Sequence, residues 1–431
     1  MFLMIFGAVC IVIVLVLLSL VLFEPSLPYD VTAPPMPLDS EGFLCLMGAL
    51  ADADVQRHNT IEVLSGGPAF YEAELAAIRN AQQSVHVEAF LFQPGAITDQ
   101  FIHALAERAR AGVHVRVVLD AIGCFQTPRA YLHELEAAGG KMFWYEPIRW
   151  RTLKRINNRT HRELIIVDGQ IGFIGGAGIS PHWLGGVKGE VPWHDMMCRV
   201  RGPLVGGLQT TFAENWLQSS GQILTGPDTF PQCCQSGTDA DQKPQPGNVH
   251  GIIIDSTPTA AGATRARVIF QVLLASAKQS IHINSPYFLP DRSARRQLIE
   301  AVRRGVKVQV LAPGEANNHH LTRCTSRRLY GELLQEGVEI YEYQPGMIHK
   351  KAMIVDGVWT VVGSTNFDTR SFMLNDEVNL AAIDRELAGR LIQDFESEKA
   401  QSQRITYEEW RNRPLKEKVL SLVGMIVQRQ E

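Results

Sequence analysis

The sequence predicts an α/β protein made of two copies of one unit, each a mixed sheet with helices on both faces, and a site where the copies meet. Three observations predict it. A histidine motif is written twice, as His161-Arg162-Glu163-Leu164-Ile165-Ile166-Val167-Asp168-Gly169 and as His349-Lys350-Lys351-Ala352-Met353-Ile354-Val355-Asp356-Gly357. A glycine-rich stretch follows each after the same interval, Gly175-Gly176-Ala177-Gly178 in one and Gly363-Ser364-Thr365-Asn366 in the other. Finally, helix-like stretches and short buried strands succeed one another in the same order on both sides of a polar break, at a nearly constant offset, which is the mark of a duplication.

In chain order, Phe2 to Phe23 is an apolar run of 22 residues whose one polar side chain is Ser19. At 1.5 Å per residue it spans the ~30 Å core of a bilayer. A cleaved signal peptide would have a basic start and a small-residue cleavage site; no basic residue precedes this run, and Leu22-Phe23-Glu24-Pro25 is a poor cleavage site. The expectation is a single-pass N-terminal anchor in the cell membrane over residues 1–23. Lysine and arginine are absent on both flanks, the first being Arg57, so charge gives no orientation. Residues 24–60 open with five prolines between Glu24 and Pro37 and read as an extended tether, with the folded part starting near Ile61.

The first unit is expected over residues 61–231. A helix over Phe70 to Ala81 precedes the apolar strand Ser84 to Phe92, and a second strand, Ala111 to Leu119, again follows helical sequence. Residues 232–250, rich in Gln, Ser, Gly, Asp and Pro, read as a linker. The second unit, 251–402, repeats the pattern: Ala266 to Ala277, then Ser280 to Phe288, then Arg304 to Leu311. Ala138-Gly139 to Tyr145 pairs likewise with Glu336-Gly337 to Tyr343. Residues 403–431 form a tail in which Leu415, Val419, Leu422, Val423 and Ile426 recur at helical spacing, suited to packing on the core or lying on a lipid surface.

The bulk composition narrows the partners. The chain has 431 residues, 45% of them apolar and 20% charged, with a net charge of -4. That is globular, and it argues against a nucleic-acid partner, which needs a basic face. The seven cysteines include no CxxC pair, so neither a zinc site nor a redox motif is visible.

Each histidine opens a strand. Side chains alternate along a strand, so His349 and Lys351 share a face, as do His161 and Glu163. Asp168-Gly169 and Asp356-Gly357 close turns into the next strands and read as scaffold.

The pattern His349-x-Lys351-x4-Asp356 with Gly363-Ser364-x-Asn366 resembles the signature of the phospholipase D superfamily, the HKD motif. Asn284 to Asp291, Tyr330 to Gly337, Arg370 to Asn379 and Trp193-His194-Asp195 are similar to its cardiolipin synthase-like branch. The resemblance covers roughly Glu62 to the C-terminus. It implies a phospholipase D-like α/β/α sandwich in duplicate and a phosphatidyltransferase that moves a phosphatidyl group between phospholipids. One histidine would attack phosphorus and form a phosphohistidine; the other would protonate the leaving alcohol and later deprotonate the acceptor. Family order makes His161 the nucleophile and His349 the acid/base, with Asp195 and Glu377 as acidic orienters. Lys351, Asn366 and Ser364 would hold the phosphate oxygens. The scheme needs no metal and no cofactor. The implied substrate is an anionic phospholipid such as phosphatidylglycerol, drawn from the membrane.

Two positions depart from the pattern. Glu163 stands where the first motif needs lysine, and Gly178 where it needs asparagine. Glu163 would pair with a cation, bind a substrate hydroxyl or amine, or mark an inactive site. The stretch Arg149 to Arg162 carries six Lys or Arg residues and no acid, so one of its arginines, Arg159 for instance, is a candidate replacement for the lysine. A hydrolase with water as acceptor, a nuclease and a non-catalytic protein that binds anionic lipid remain as alternatives. On the sequence alone, Glu163→Lys keeps or raises activity and His349→Ala abolishes it.

Overall fold

The computed structural model describes residues 28–149, 155, 157–185, 191–231, 247–258, 264–315 and 320–427, with two isolated positions, 7 and 12, before them. The apolar run Phe2–Phe23, most of the 232–250 linker and the centre of the basic stretch, 150–154, lie outside the described residues. Among the described residues no helix is long and apolar enough to cross a membrane.

Sixteen strands form one mixed sheet. In chain order they are β1 (Gln56–Ser65), β2 (Ser84–Ala89), β3 (His114–Asp120), β4 (Lys141–Tyr145), β5 (Arg159–Thr160), β6 (Leu164–Val167), β7 (Ile171–Gly175), β8 (Met196–Arg201), β9 (Val249–Ser256), β10 (Ser280–Asn284), β11 (Lys307–Pro313), β12 (Glu339–Tyr343), β13 (Ala352–Val355), β14 (Trp359–Gly363), β15 (Asn375–Ile383) and β16 (Ser402–Ile405). Outward from the central antiparallel pair β1–β9, one side runs β8, β7, β6, β2, β3, β4 and the other β15, β14, β13, β10, β11, β12, with β16 at the far edge. The same order therefore recurs on both sides. In each, the three outer strands β2–β4 or β10–β12 are parallel and the inner ones antiparallel.

Helices cover both faces. Gly67–Arg79 and Ala96–Arg110 bury Phe70, Leu75, Phe101 and Leu105 on one face of the first side. Arg265–Ser276, Arg292–Arg303 and His320–Gln335 do the same on the second. On the opposite face, Leu204–Ser220 and Arg385–Lys399 cover a core common to both sides, where Ile166, Ile174 and Phe212 pack with Ile354, Leu380 and Leu391. Because an interior packed this closely resists relative sliding, the two histidine motifs keep a fixed relation.

The β6–β7 and β13–β14 hairpins turn on Asp-Gly pairs. Asp168 and Gly169 have φ of 53° and 61°, Asp356 and Gly357 of 53° and 60°, the left-handed pair at the centre of a type I′ turn, closed by Gln170 N to Val167 O and by Val358 N to Val355 O. Each aspartate also accepts three backbone N–H bonds at the start of the neighbouring strand, from Gln82, Gln83 and Ser84 or from Lys278, Gln279 and Ser280.

Residues 28–60 are not a tether. Ser40 caps a helix, Glu41–Ala51, that inserts Phe43, Leu44, Met47 and Ala51 into the core of the second side. The Trp359 indole donates to Leu38 O at 2.7 Å, and the Tyr29 ring lies 4.0 Å from the Arg267 guanidinium. The apolar spacing at 43, 44, 47 and 51 is helical; the prolines before it masked that signal. At the other end, the tail expected from 403 contributes strand to the sheet, because Ser402–Ile405 pairs with β12. The helix Leu415–Val427 docks through Glu417, 2.8 Å from Arg327, and turns Leu415, Val419 and Leu422 outward.

Phe43 has no solvent exposure and meets the Trp359 ring edge-on at 5.7 Å. Truncating such a side chain costs about 3–5 kcal/mol, so Phe43→Ala is expected to lower the urea midpoint of the folded domain, although residue 43 lies in the segment the sequence leaves outside it.

Candidate active site

The strand that follows each histidine is central in the sheet, and the histidine is held by the opposite side of the molecule. His161 N donates to Asp376 O at 2.9 Å, where β5 pairs with the start of β15. His349 N donates to His194 O at 2.7 Å, beside a bridge between His194 and Ile348. The side chains repeat the exchange. His161 Nδ1 lies 3.0 and 3.1 Å from the two oxygens of Glu377, and His349 Nδ1 lies 2.9 Å from Asp195 Oδ2. Each acidic orienter thus serves the histidine of the other motif, not its own. A donated Nδ1–H fixes the tautomer and turns Nε2 of each ring to the chemistry.

Both carboxylates have no solvent exposure. Burial alone would raise Asp195, but His349, Lys351 and the Met196 amide hold it below the usual range. Glu377 is likewise lowered against its burial, by His161, Ser364 and Ser371. The Ser364 hydroxyl donates to Glu377, so Ser364 supports the orienter. Burial, with Lys351 beside it, pushes the His349 imidazole down to about 4 despite Asp195.

Lys351 shares the His349 face, as strand alternation requires. Its Nζ lies 2.9 Å from Nδ1 and 3.1 Å from Nε2 of that ring and donates to His349 O at 3.0 Å. Burial lowers it to about 8, against the pull of Asp195, Glu377 and Glu163. Lys350 points the other way and is buried against Glu398, which also binds His194 and Asn284. Asn366 is buried, with its Oδ1 unpartnered among the described residues and its backbone N–H on Ser371 Oγ at 3.2 Å. A buried amide with an open end can receive an oxyanion once it is turned to present its NH2.

The departures have a structural account. Glu163 is buried, and its Oε1 accepts the N–H groups of Phe90 and Leu91, both at 3.2 Å. Burial outweighs those amides and Lys351, and holds its carboxyl well above the usual range. A carboxyl shifted in that direction and held by backbone amides repels a phosphate less than a solvated carboxylate would. The position matching Phe90 in the second copy is Pro286, which has no N–H to offer. Gly178 is the complement: a Cβ there would come within 2.9 Å of Glu163 Oε1 and press on the Leu91 backbone. At Gly176 a Cβ would meet Lys351 Nζ at 2.9 Å, so the second motif's lysine fills the space vacated in the first.

Arg159 does not substitute for the missing lysine. Its Nε donates to Asn158 O at 2.6 Å and one terminal nitrogen to Glu146 O at 2.9 Å, while the other faces Asp120 Oδ1 at 3.6 Å. Of the other basic residues in that stretch, Arg162 is buried against Thr211 O, Glu214 and Asp255, Arg155 pairs with Glu146, and Arg151 and Lys154 lie outside the described residues. Aromatic residues to which the sequence gives no role surround the pair. Phe90 packs edge-on against His161 at 5.1 Å, and Trp183, Trp193 and Tyr287 ring His349 at 5.8, 5.2 and 6.5 Å. Their spacing in sequence carries no periodic signal.

The fold and the paired histidines define a two-motif, phospholipase D-like α/β protein. A phosphatidylserine synthase from Haemophilus influenzae Rd KW20 shares the fold at a TM-score of 0.70 and 15% identity, over 89% of this chain and 98% of that one. The family described as "Cardiolipin synthase, PLD-like domain" matches residues 75–189 and 271–399. Cardiolipin synthase of Geobacillus kaustophilus is 32% identical over 94% of this chain and 78% of its own length, and cardiolipin synthase A of Pseudomonas putida is 32% identical over 87% and 76%. The chain belongs to that cardiolipin synthase, PLD-like family.

Lysine at 163 would set an ammonium against two amide N–H groups, and each buried donor left without an acceptor costs about 1–3 kcal/mol. Thermal melts are therefore expected to show Glu163→Lys clearly destabilised and Glu163→Gln close to the parent. The sequence-based expectation that Glu163→Lys keeps or raises activity takes no account of these two donors.

Proposed function

We propose that the chain is a membrane-anchored phosphatidyltransferase that moves a phosphatidyl group from one phospholipid to the hydroxyl of another through a phosphohistidine. The observation that carries the reading is the crossed pair: two histidines with Nδ1 bound to buried carboxylates, and Lys351 against the second ring. One Nε2 forms a bond to phosphorus while the other ring gives its proton to the departing alcohol oxygen. The second ring then takes the proton of the acceptor hydroxyl as its oxygen displaces the histidine. Lys351 and Asn366 neutralise the non-bridging oxygens, where charge builds in the transition state. The names of the relatives agree with phosphatidylglycerol as the donor and a second lipid as the acceptor. The recurring strand order supports a duplicated phospholipase D-like unit over residues 61–231 and 251–402. The 22-residue apolar run Phe2–Phe23 supports an anchor that holds the site at the membrane.

Glu163 and Gly178 favour a second reading, a lipid-binding protein without turnover, since the first motif offers neither an ammonium nor an amide to the phosphate. Purified protein incubated with vesicles of labelled phosphatidylglycerol separates the two. Cardiolipin with released glycerol is expected, and its loss in His349→Ala. Phosphatidic acid would make the protein a hydrolase, and vesicle binding with unchanged lipid would establish the second reading.

A further inference from the structure

The two histidines do not feel the same charges. His349 carries an ammonium against its ring, with Lys351 Nζ 2.9 Å from Nδ1 and 3.1 Å from Nε2. The matching position in the first motif is Glu163, so His161 has no cation from its own strand. Its Nδ1 faces both oxygens of Glu377, at 3.0 and 3.1 Å, as that of His349 faces Asp195 Oδ2 at 2.9 Å, so the ammonium is what distinguishes the two rings. Trp183, Trp193 and Tyr287 close around His349 and keep water from solvating a positive ring there. With a lysine in both motifs, each histidine would sit beside one ammonium and the pair would be balanced. Here only His349 has one, and that ammonium opposes a proton on its ring.

Building on the phosphatidyltransfer reading, we infer that His349 is the nucleophile and His161 the general acid and base, the reverse of the order the family resemblance implies. The low affinity of His349 for a proton, at about 4, points the same way. Before reaction, Lys351 rests on the ring. A phosphate oxygen is a stronger partner for an ammonium than an imidazole nitrogen is, so binding of substrate draws Lys351 off and frees Nε2. The Nε2 lone pair of His349 then forms the N–P bond, the P–O bond to the departing alcohol breaks, and that oxygen takes the Nε2 proton of His161. In the second step His161 removes the proton from the acceptor hydroxyl, whose oxygen attacks phosphorus. The N–P bond breaks, and its electron pair returns to His349. The substitution at 163 therefore sets the direction in which the site runs.

The test uses the full chain and bis(p-nitrophenyl) phosphate, whose p-nitrophenolate leaves without a proton. Without its acid, His161→Asn is expected to release a burst of about one p-nitrophenolate per protein molecule and then stall, because activation of water by a general base contributes roughly 10²–10⁴-fold. His349→Asn is expected to give no burst. Alkaline quench of the unsubstituted protein during turnover, followed by peptide mapping, locates the adduct without any variant, and it is expected on His349. An adduct on His161, or a burst from His349→Asn that is absent from His161→Asn, overturns the assignment while leaving phosphatidyltransfer intact. Release of p-nitrophenolate by the unsubstituted protein with no histidine adduct under the same quench overturns the covalent reading and the assignment with it.

Discussion

The structure turns on one constraint: each histidine of the pair is oriented by a carboxylate that belongs to the opposite side of the sheet. Asp195 ends the segment that leads into β8 and reaches His349; Glu377 lies in β15 and reaches His161. Neither side can present a competent imidazole alone. This explains why β1 and β9 pair across the centre, why one hydrophobic core spans Ile166, Ile354 and Leu380, and why the backbone amides of both histidines are also bound across the junction. A buried carboxylate without its cationic or hydrogen-bonded partner is costly, so the histidine–carboxylate pairs couple folding of the junction to assembly of the site.

Around that symmetric frame the electrostatics are lopsided. The second motif keeps a lysine and an asparagine; the first has given up both, and its glutamate is absorbed into the fold. Two amides at Phe90 and Leu91 receive the Glu163 carboxyl, Gly178 leaves it room, and burial pushes it well above the usual carboxylate range. The lysine that remains lies against the glycine that replaced its partner's serine. The result is one cationic centre beside one of two rings that are otherwise held alike.

Much of this was legible in the chain itself. The doubled motif, the strand alternation that puts His349 and Lys351 on one face, and the Asp-Gly turns follow from local rules of spacing and conformation. The partner of Asp195 did not, because carboxylate exchange is a property of how distant segments meet, and 154 residues separate it from His349. The fate of Glu163 was hidden for a similar reason. Its acceptor role depends on backbone N–H groups, which every residue but proline carries and no sequence pattern marks. The helix at Glu41–Ala51 is masked by the prolines before it, and the charge of Arg159 gives no sign that its guanidinium is committed to backbone carbonyls.

The crossed pairing is open to direct observation through the ring nitrogens of ¹⁵N-histidine-labelled protein. Asp195→Asn should shift the nitrogens of His349 and leave those of His161 in place, and Glu377→Gln should do the reverse. If Asp195→Asn instead perturbed His161, each motif would be orienting its own histidine, and the account of a single site assembled from two exchanged halves would be wrong.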